Sequence, residues 1–208
     1  MITAPNLSEL SWLRHGFGDR HSVYPEQITT AHQIHSCIVL ELAGTGGDRI
    51  ADGDGLVTGQ PGMLVGVRTA DCVPILLVDR VRRVVSAVHA GWRGTAAGIA
   101  GEAVLRMQEK FGTLPEDVVA AIGPSIGGCC YEVGADVARH FGTWVPDLEQ
   151  AATPARVDLK TVNRLQLEQL GLQNVWVSQN CTYCCSDFYS FRREKEQAGR
   201  MISYIGTA

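Results

Sequence analysis

Two short segments carry residue types that can do chemistry. "TADCVPILL", from Thr69, sets a carboxylate and a thiol, Asp71 and Cys72, directly ahead of an apolar run. "AVHAGWRGT", from Ala87, ends a second apolar run on an imidazole, His89, followed by Gly91, Trp92, Arg93 and Gly94. A thiol and an imidazole held together can share a metal ion or act as a nucleophile with its base.

The elements that must position them are two strands. "VPILLVD" and "RVVSAVHA" are Val-, Ile- and Leu-rich and too short for stable helices. Only a charged patch at 79–83 separates them, so they form an antiparallel hairpin; a parallel crossover needs about a dozen connecting residues. A turn centred between Arg80 and Val81 sets Cys72 directly opposite His89, with Cβ atoms about 4.5–5.5 Å apart. Zinc could then take both, at about 2.3 Å from sulfur and about 2.0 Å from nitrogen. A third ligand must come from His15, His21, His32, His35 or His140. His35 stands out because it opens the strand expected over "HSCIVLEL" (35–42), and alternation puts only one of His32 and His35 on the inner face. Three protein ligands plus water define a catalytic rather than a closed structural site. The plainer alternatives are a core thiol for Cys72, a strand-start cap for Asp71 and a surface salt bridge for Arg93.

The remaining chain frames this pair. Its 208 residues are 45% hydrophobic and 19% charged, with a net charge of −4. That composition excludes a disordered chain and gives no electrostatic reason to expect nucleic acid or an anionic membrane as partner. The start lacks a signal-peptide pattern, and no apolar stretch approaches the roughly 18 residues of a spanning helix, so a cytoplasmic protein is expected. Seven cysteines, two pairs of them adjacent, read as buried thiols, ligands or nucleophiles in a reducing compartment. Residues 1–27 read as irregular. Strands are expected over 118–124 and in "NVWVSQ" and "GRMISYIG". Helices are expected over 95–112, 134–142 and 158–171, the last capped by Asp158 and Gly171. In the first, Ile99, Val104, Leu105 and Met107 share a face. Strands and helices mix irregularly, which predicts one α+β domain over 1–208, with mixed and antiparallel sheets flanked by helices.

The motifs "QIHSCIV", "DGLVT", "TADCVPILL", "VHAGWRGT", "IGPSIGGCCYEVG", "CTYC", "FYSFRRE" and "GRMISYI" together resemble the YfiH family, also called the laccase-domain or polyphenol oxidase family. The resemblance runs from about residue 28 to the C-terminus. It implies an α+β fold related to the catalytic domain of cytotoxic necrotizing toxins, and one zinc held by His35, Cys72 and His89. It implies phosphorolysis of adenosine, inosine, guanosine and methylthioadenosine, deamination of adenosine, and for some members a role in peptidoglycan editing. The region before the QIH motif, 1–27, is shorter than the family pattern.

On this reading the partners are purine nucleosides and phosphate. Arg93 could supply a fork for phosphate, with Gly91 and Gly94 leaving room, and Asp71 could orient a ligand or take a proton. The rival is a Cys72–His89 thiol, or zinc, amidohydrolase acting on a cell-wall precursor. A copper polyphenol oxidase is less expected, because six histidines are too few for a multicopper centre. "CTYC" (181–184) reads as core thiols, since adjacent Cys129 and Cys130 make awkward partners for it. "IGPSIGGCCYEVG" reads as a Gly-rich turn lining the pocket, and Arg192 and Arg193 as solvated charges.

Overall fold

The computed structural model describes residues 1–146 and 154–207. Its central layer is a six-stranded mixed sheet, built on the predicted hairpin of β6 (Val73–Asp79) and β7 (Val84–Ala90). The order is β11–β8–β6–β7–β4–β3, with β3 Val39–Glu41, β4 Gly55–Thr58, β8 Val118–Ile122 and β11 Asn174–Val177. β11 runs parallel to β8, and β3 parallel to β4; the other pairs are antiparallel.

Every residue of β6 and β7 is buried, as uninterrupted apolar runs covered on both faces should be. Ile75, Leu77, Val84 and Val88 face α3 (Ile99–Phe111) and α5 (Leu159–Gln169). Leu76, Val78, Val85 and Ala87 face a second sheet, of order β1–β12–β5–β2. That sheet comprises β1 Leu13–Phe17, β2 Ile28–Thr30, β5 Leu64–Thr69 and β12 Met201–Thr207. A two-stranded ribbon, β9 (Glu132–Val133) with β10 (Ala155–Arg156), short helices α1 (Pro5–Ser8), α2 (Trp92–Ala96), α4 (Ala135–Ala138) and α6 (Phe191–Glu194), and 3-10 turns at Pro115–Asp117, Arg139–Phe141 and Lys195–Gln197 complete the described elements. No helix among them is long and apolar enough to cross a membrane.

Several expectations are corrected. The register places Pro74, not Cys72, opposite His89, so the turn centres between Val81 and Arg82. The error is two residues, and a period of two leaves Cys72 on the same face as His89. The 35–42 strand shrinks to Val39–Glu41, and His35 sits before it with φ +61°. The 95–112 helix is broken at Gly98, whose left-handed φ of +80° separates α2 from α3. Leu105 is exposed, and the buried face of α3 is Ile99, Ala100, Ala103, Val104 and Met107. Residues 1–27 contain α1 and β1, and bury Leu7 and Phe17 completely. The cap expectations for α5 hold: Asp158 accepts from Lys160 N–H and Thr161 N–H, and Gly171 follows with φ +97°.

Candidate metal centre and active site

Three chain segments meet at one end of the inner strands of the six-stranded sheet. Cys72 immediately precedes β6, His89 lies near the end of antiparallel β7, and Asp54 immediately precedes β4. His35 is delivered by the turn before β3. The ligand atoms of His35, Cys72 and His89 all lie within 4.8 Å of one another, and the two imidazoles meet edge to face with centroids 4.9 Å apart. Gly91 makes this approach possible, since a Cβ there would lie 3.0 Å from the His35 ring and 3.2 Å from Cys72 Sγ. A Cβ on Gly94 would lie 3.0 Å from the Ser36 carbonyl. These glycines make room for protein groups, not for phosphate.

Asp54, missed in the sequence, organises the trio. Fully buried, it accepts from His89 Nδ1–H at 2.8 Å, from the backbone N–H groups of Ile34, His35 and Ser36 at 3.2, 3.0 and 2.6 Å, and from Ser36 Oγ at 2.7 Å. Its backbone carbonyl also accepts from His89 N–H at 2.7 Å. One carboxylate thus folds the His35 turn and orients the His89 ring. Burial works against its charge, but the bonds from His89 and Ser36 win and hold the carboxyl well below the usual range. The available signal was an acid directly before a strand in "DGDGLVT".

The pair expected from the hairpin is electrostatically coupled. Burial opposes a Cys72 thiolate, but the charge of His89 and hydrogen bonds from His35 and His89 bring the thiol down to about 6. Burial likewise opposes a charged His89, yet Cys72 and Asp54 raise it to about 9. With Asp54 on Nδ1, the other ring nitrogen, Nε2, is left for a ligand. Two imidazoles, one low-pKa thiol and a carboxylate behind one imidazole are the donor set of an open transition-metal site. The residues therefore fit a bound metal.

Three of the four other histidines are engaged elsewhere. His32 Nδ1 pairs with Asp52 at 2.7 Å, His15 Nε2 accepts from Ala4 N–H at 3.0 Å, and the His140 ring lies against Trp92.

The trio opens into a cavity of about 570 Å³, within the range of small-molecule sites. Its walls include Asp71, Ile126, Tyr131 and Phe191, and cationic Arg49, Arg68, Arg192, Lys195 and Arg200. Ile126 and Tyr131 belong to the Gly-rich segment expected to line the pocket. Arg93 is not part of this lining; it is exposed, its guanidinium 4.4 Å from the Trp92 ring centroid. Asp71, at φ +85°, accepts from Thr182 Oγ1 at 2.6 Å, Ser190 Oγ at 3.0 Å and Arg192 N–H at 2.7 Å. It ties the 182–192 segment to the strand end beside Cys72. Arg192 and Arg193 are not merely solvated charges: Arg192 lines the cavity and donates to the Glu132 carbonyl, and Arg193 donates to the carbonyls of Thr182, Tyr183, Cys185 and Phe188.

This fold and centre define a class, and sequence comparison agrees. Residues 13–208 match the family model described as multi-copper polyphenol oxidoreductase laccase. The chain belongs to this laccase-domain family, whose members include the YfiH proteins. It is 41% identical over 180 residues to a purine nucleoside phosphorylase of Deinococcus radiodurans, covering 84% of this chain and 68% of that one. It is 40% identical over 161 residues to an adenosine deaminase from an unknown prokaryotic organism, covering 73% of this chain and 61% of the relative. The crystal structure of the Bacillus licheniformis hypothetical protein YfiH superposes with a TM-score of 0.80 at 35% identity, over 88% of this chain and 74% of that one.

Proposed function

We propose that this protein is a cytoplasmic, zinc-dependent purine nucleoside phosphorylase that also deaminates adenosine, with His35, Cys72 and His89 holding the metal. The observation that carries this reading is a three-donor centre opening onto a cavity with aromatic and cationic walls. Relatives named purine nucleoside phosphorylase and adenosine deaminase support it.

Bound zinc would supply a Lewis acid and a water of near-neutral pKa. The protein's own groups do the rest. Asp54 fixes the His89 tautomer and the His35 turn. Tyr131 and Phe191 offer flat surfaces to a purine. The anion role expected of Arg93 falls better to the cavity arginines. Arg68 is the strongest candidate: Nη2 pairs with Asp48 at 2.8 Å, while its buried Nε has no partner among the described residues. A phosphate oxygen would satisfy it, with Arg192 and Lys195 lining the same cavity. Asp71 acts by holding the segment that carries Arg192 and Phe191.

A panel of inosine, guanosine, adenosine and methylthioadenosine, with and without phosphate, tests this. Base and ribose-1-phosphate (or its methylthio analogue) should form only with phosphate, and inosine should form from adenosine without it. Equal base release in phosphate-free buffer would make the reaction a hydrolysis and end the phosphorylase reading.

A second reading rests on the Cys72–His89–Asp54 relay, which is also that of a thiol amidohydrolase and accords with the expected kinship to necrotizing-toxin catalytic domains. Such an enzyme, acting on a cell-wall amide, would survive chelation and die on alkylation. The proposed enzyme dies on chelation.

A further inference from the structure

The expectation that Cys181 and Cys184 of "CTYC" are core thiols does not hold. Cys129 and Cys184 are exposed, and Cys130 and Cys181 are half-buried. All four sulfurs lie within 4.8 Å of one another. Cys184 Sγ is 3.8 Å from Cys129 Sγ and 3.3 Å from Cys130 Sγ. Four thiolates around one zinc at about 2.3 Å stand about 3.8 Å apart in a tetrahedron. We propose that Cys129, Cys130, Cys181 and Cys184 form a second, closed metal site, holding one zinc through four thiolates.

The backbone prepares this cluster. Residues 127–131 close a tight turn, with Cys130 N–H and Tyr131 N–H both donating to the Gly127 carbonyl at 2.9 Å. That turn sets the two adjacent thiols on one side, the arrangement that looked awkward in the sequence. Residues 181–185 close a second turn through Cys185 N–H to the Cys181 carbonyl at 3.0 Å. The segments are joined by a bridge between Ser125 and Cys181, and by Thr182 N–H to the Ser125 carbonyl at 3.0 Å. Gly127 N–H points at Cys181 Sγ from 3.2 Å, a bond that favours a thiolate.

Charge gives an independent argument. Four thiolates on a divalent ion leave a net charge of −2. The buried ammonium of Lys160 donates to the Ser178 and Asn180 carbonyls at 2.8 and 3.1 Å, just ahead of Cys181. Arg193 donates to three carbonyls of the Cys181–Cys185 turn. Two cations are thus built against the anionic cluster. Soft, four-sulfur, tetrahedral coordination suits zinc, and metal uptake releases the thiol protons to solvent. With no open position, the ion is structural. It would clip the 126–131 wall of the cavity to the 181–193 wall, which Asp71 ties to the strand end.

The test counts metal and reads its ligands in the full chain, purified under reducing conditions. Wild type should carry about two zinc ions per chain, and both the His35→Ala/His89→Ala and the Cys181→Ser/Cys184→Ser variants about one. Cobalt in the His35→Ala/His89→Ala protein should show intense thiolate-to-metal charge transfer and tetrahedral bands, a reading that does not depend on the cysteine variant folding. A His35→Ala/His89→Ala protein that takes up neither zinc nor cobalt, with the four thiols free or paired as disulfides, overturns the proposal. That result leaves the nucleoside reading untouched, because it concerns other ligands.

Discussion

Two donor clusters, one lining the cavity and one outside its lining, are built by different means. The His35–Cys72–His89 centre draws on residues far apart in sequence, two delivered by strand ends and one by a turn. A buried carboxylate, Asp54, holds it in shape, and it opens to the cavity. The four-cysteine cluster draws on two tight turns and is organised by backbone N–H groups. An open centre needs its geometry imposed from behind, because substrate must reach the front. A closed one can let the ligands and the metal shape each other.

The sharpest way to break the first cluster without the second is Asp54→Ala. It strands the donors of Ile34, His35, Ser36 and His89, and should cost about 3–5 kcal/mol of stability. Denaturant melts with metal analysis check this, and the cysteine-held metal should stay. Asp54→Asn should weaken metal binding at the trio by about 10–100-fold.

The two clusters should also differ in their thiol titrations. In metal-free protein, alkylation of Cys72 mapped by mass spectrometry should rise with a midpoint near pH 6, because His89 holds the thiolate. The ion pair is lost below about pH 6, where Cys72 protonates, and above about pH 9, where His89 loses its proton. Among the four cysteines, burial raises Cys181, but N–H bonds from Gly127 and Cys184 bring it down to about 7. Cys130 is pushed up, chiefly by its neighbour Cys184. A Cys72 midpoint near 9 would mean that the coupling to His89 is absent.

Arg68→Ala tests what the open centre faces. It removes charge-assisted bonds worth about 1.5–3 kcal/mol, so kcat/KM for phosphate should fall by about 10–100-fold. Adenosine deamination should stay near wild type. Equal loss of both activities would move Arg68 from the phosphate to a shared role.

The smallest effect lies away from both clusters. Burial lowers the pKa of His15 below its usual 6.5. The unfolded chain therefore binds the proton more readily, and stability present above pH 6.5 is lost as the pH falls. His15→Gln should flatten that acid limb in melts between pH 7.5 and 5, by about 1 kcal/mol or less.

The hairpin and most buried strands were legible because apolar runs of that length leave little choice. The register missed by two residues, yet the metal pair survived, since strand faces repeat with that period. What stayed hidden depends on distant partners. β1 pairs with β12 across nearly the whole chain, from Leu13 with Thr207 to Phe17 with Ser203, which no local pattern reports. His35 reaches the centre from a left-handed turn held by Asp54, not from the start of a strand as its apolar neighbours suggest. Arg193 looked solvated because its acceptors are backbone carbonyls, invisible in residue types.

If the His35–Cys72–His89 centre holds the metal on which nucleoside turnover depends, metal and activity must be lost and regained together. The most direct measurement follows inosine phosphorolysis and metal content together through chelation and zinc return, in wild type and His35→Ala. Ribose-1-phosphate formation should disappear on stripping and return with zinc in wild type alone. Full activity in stripped protein, or in His35→Ala lacking the metal, would contradict that dependence.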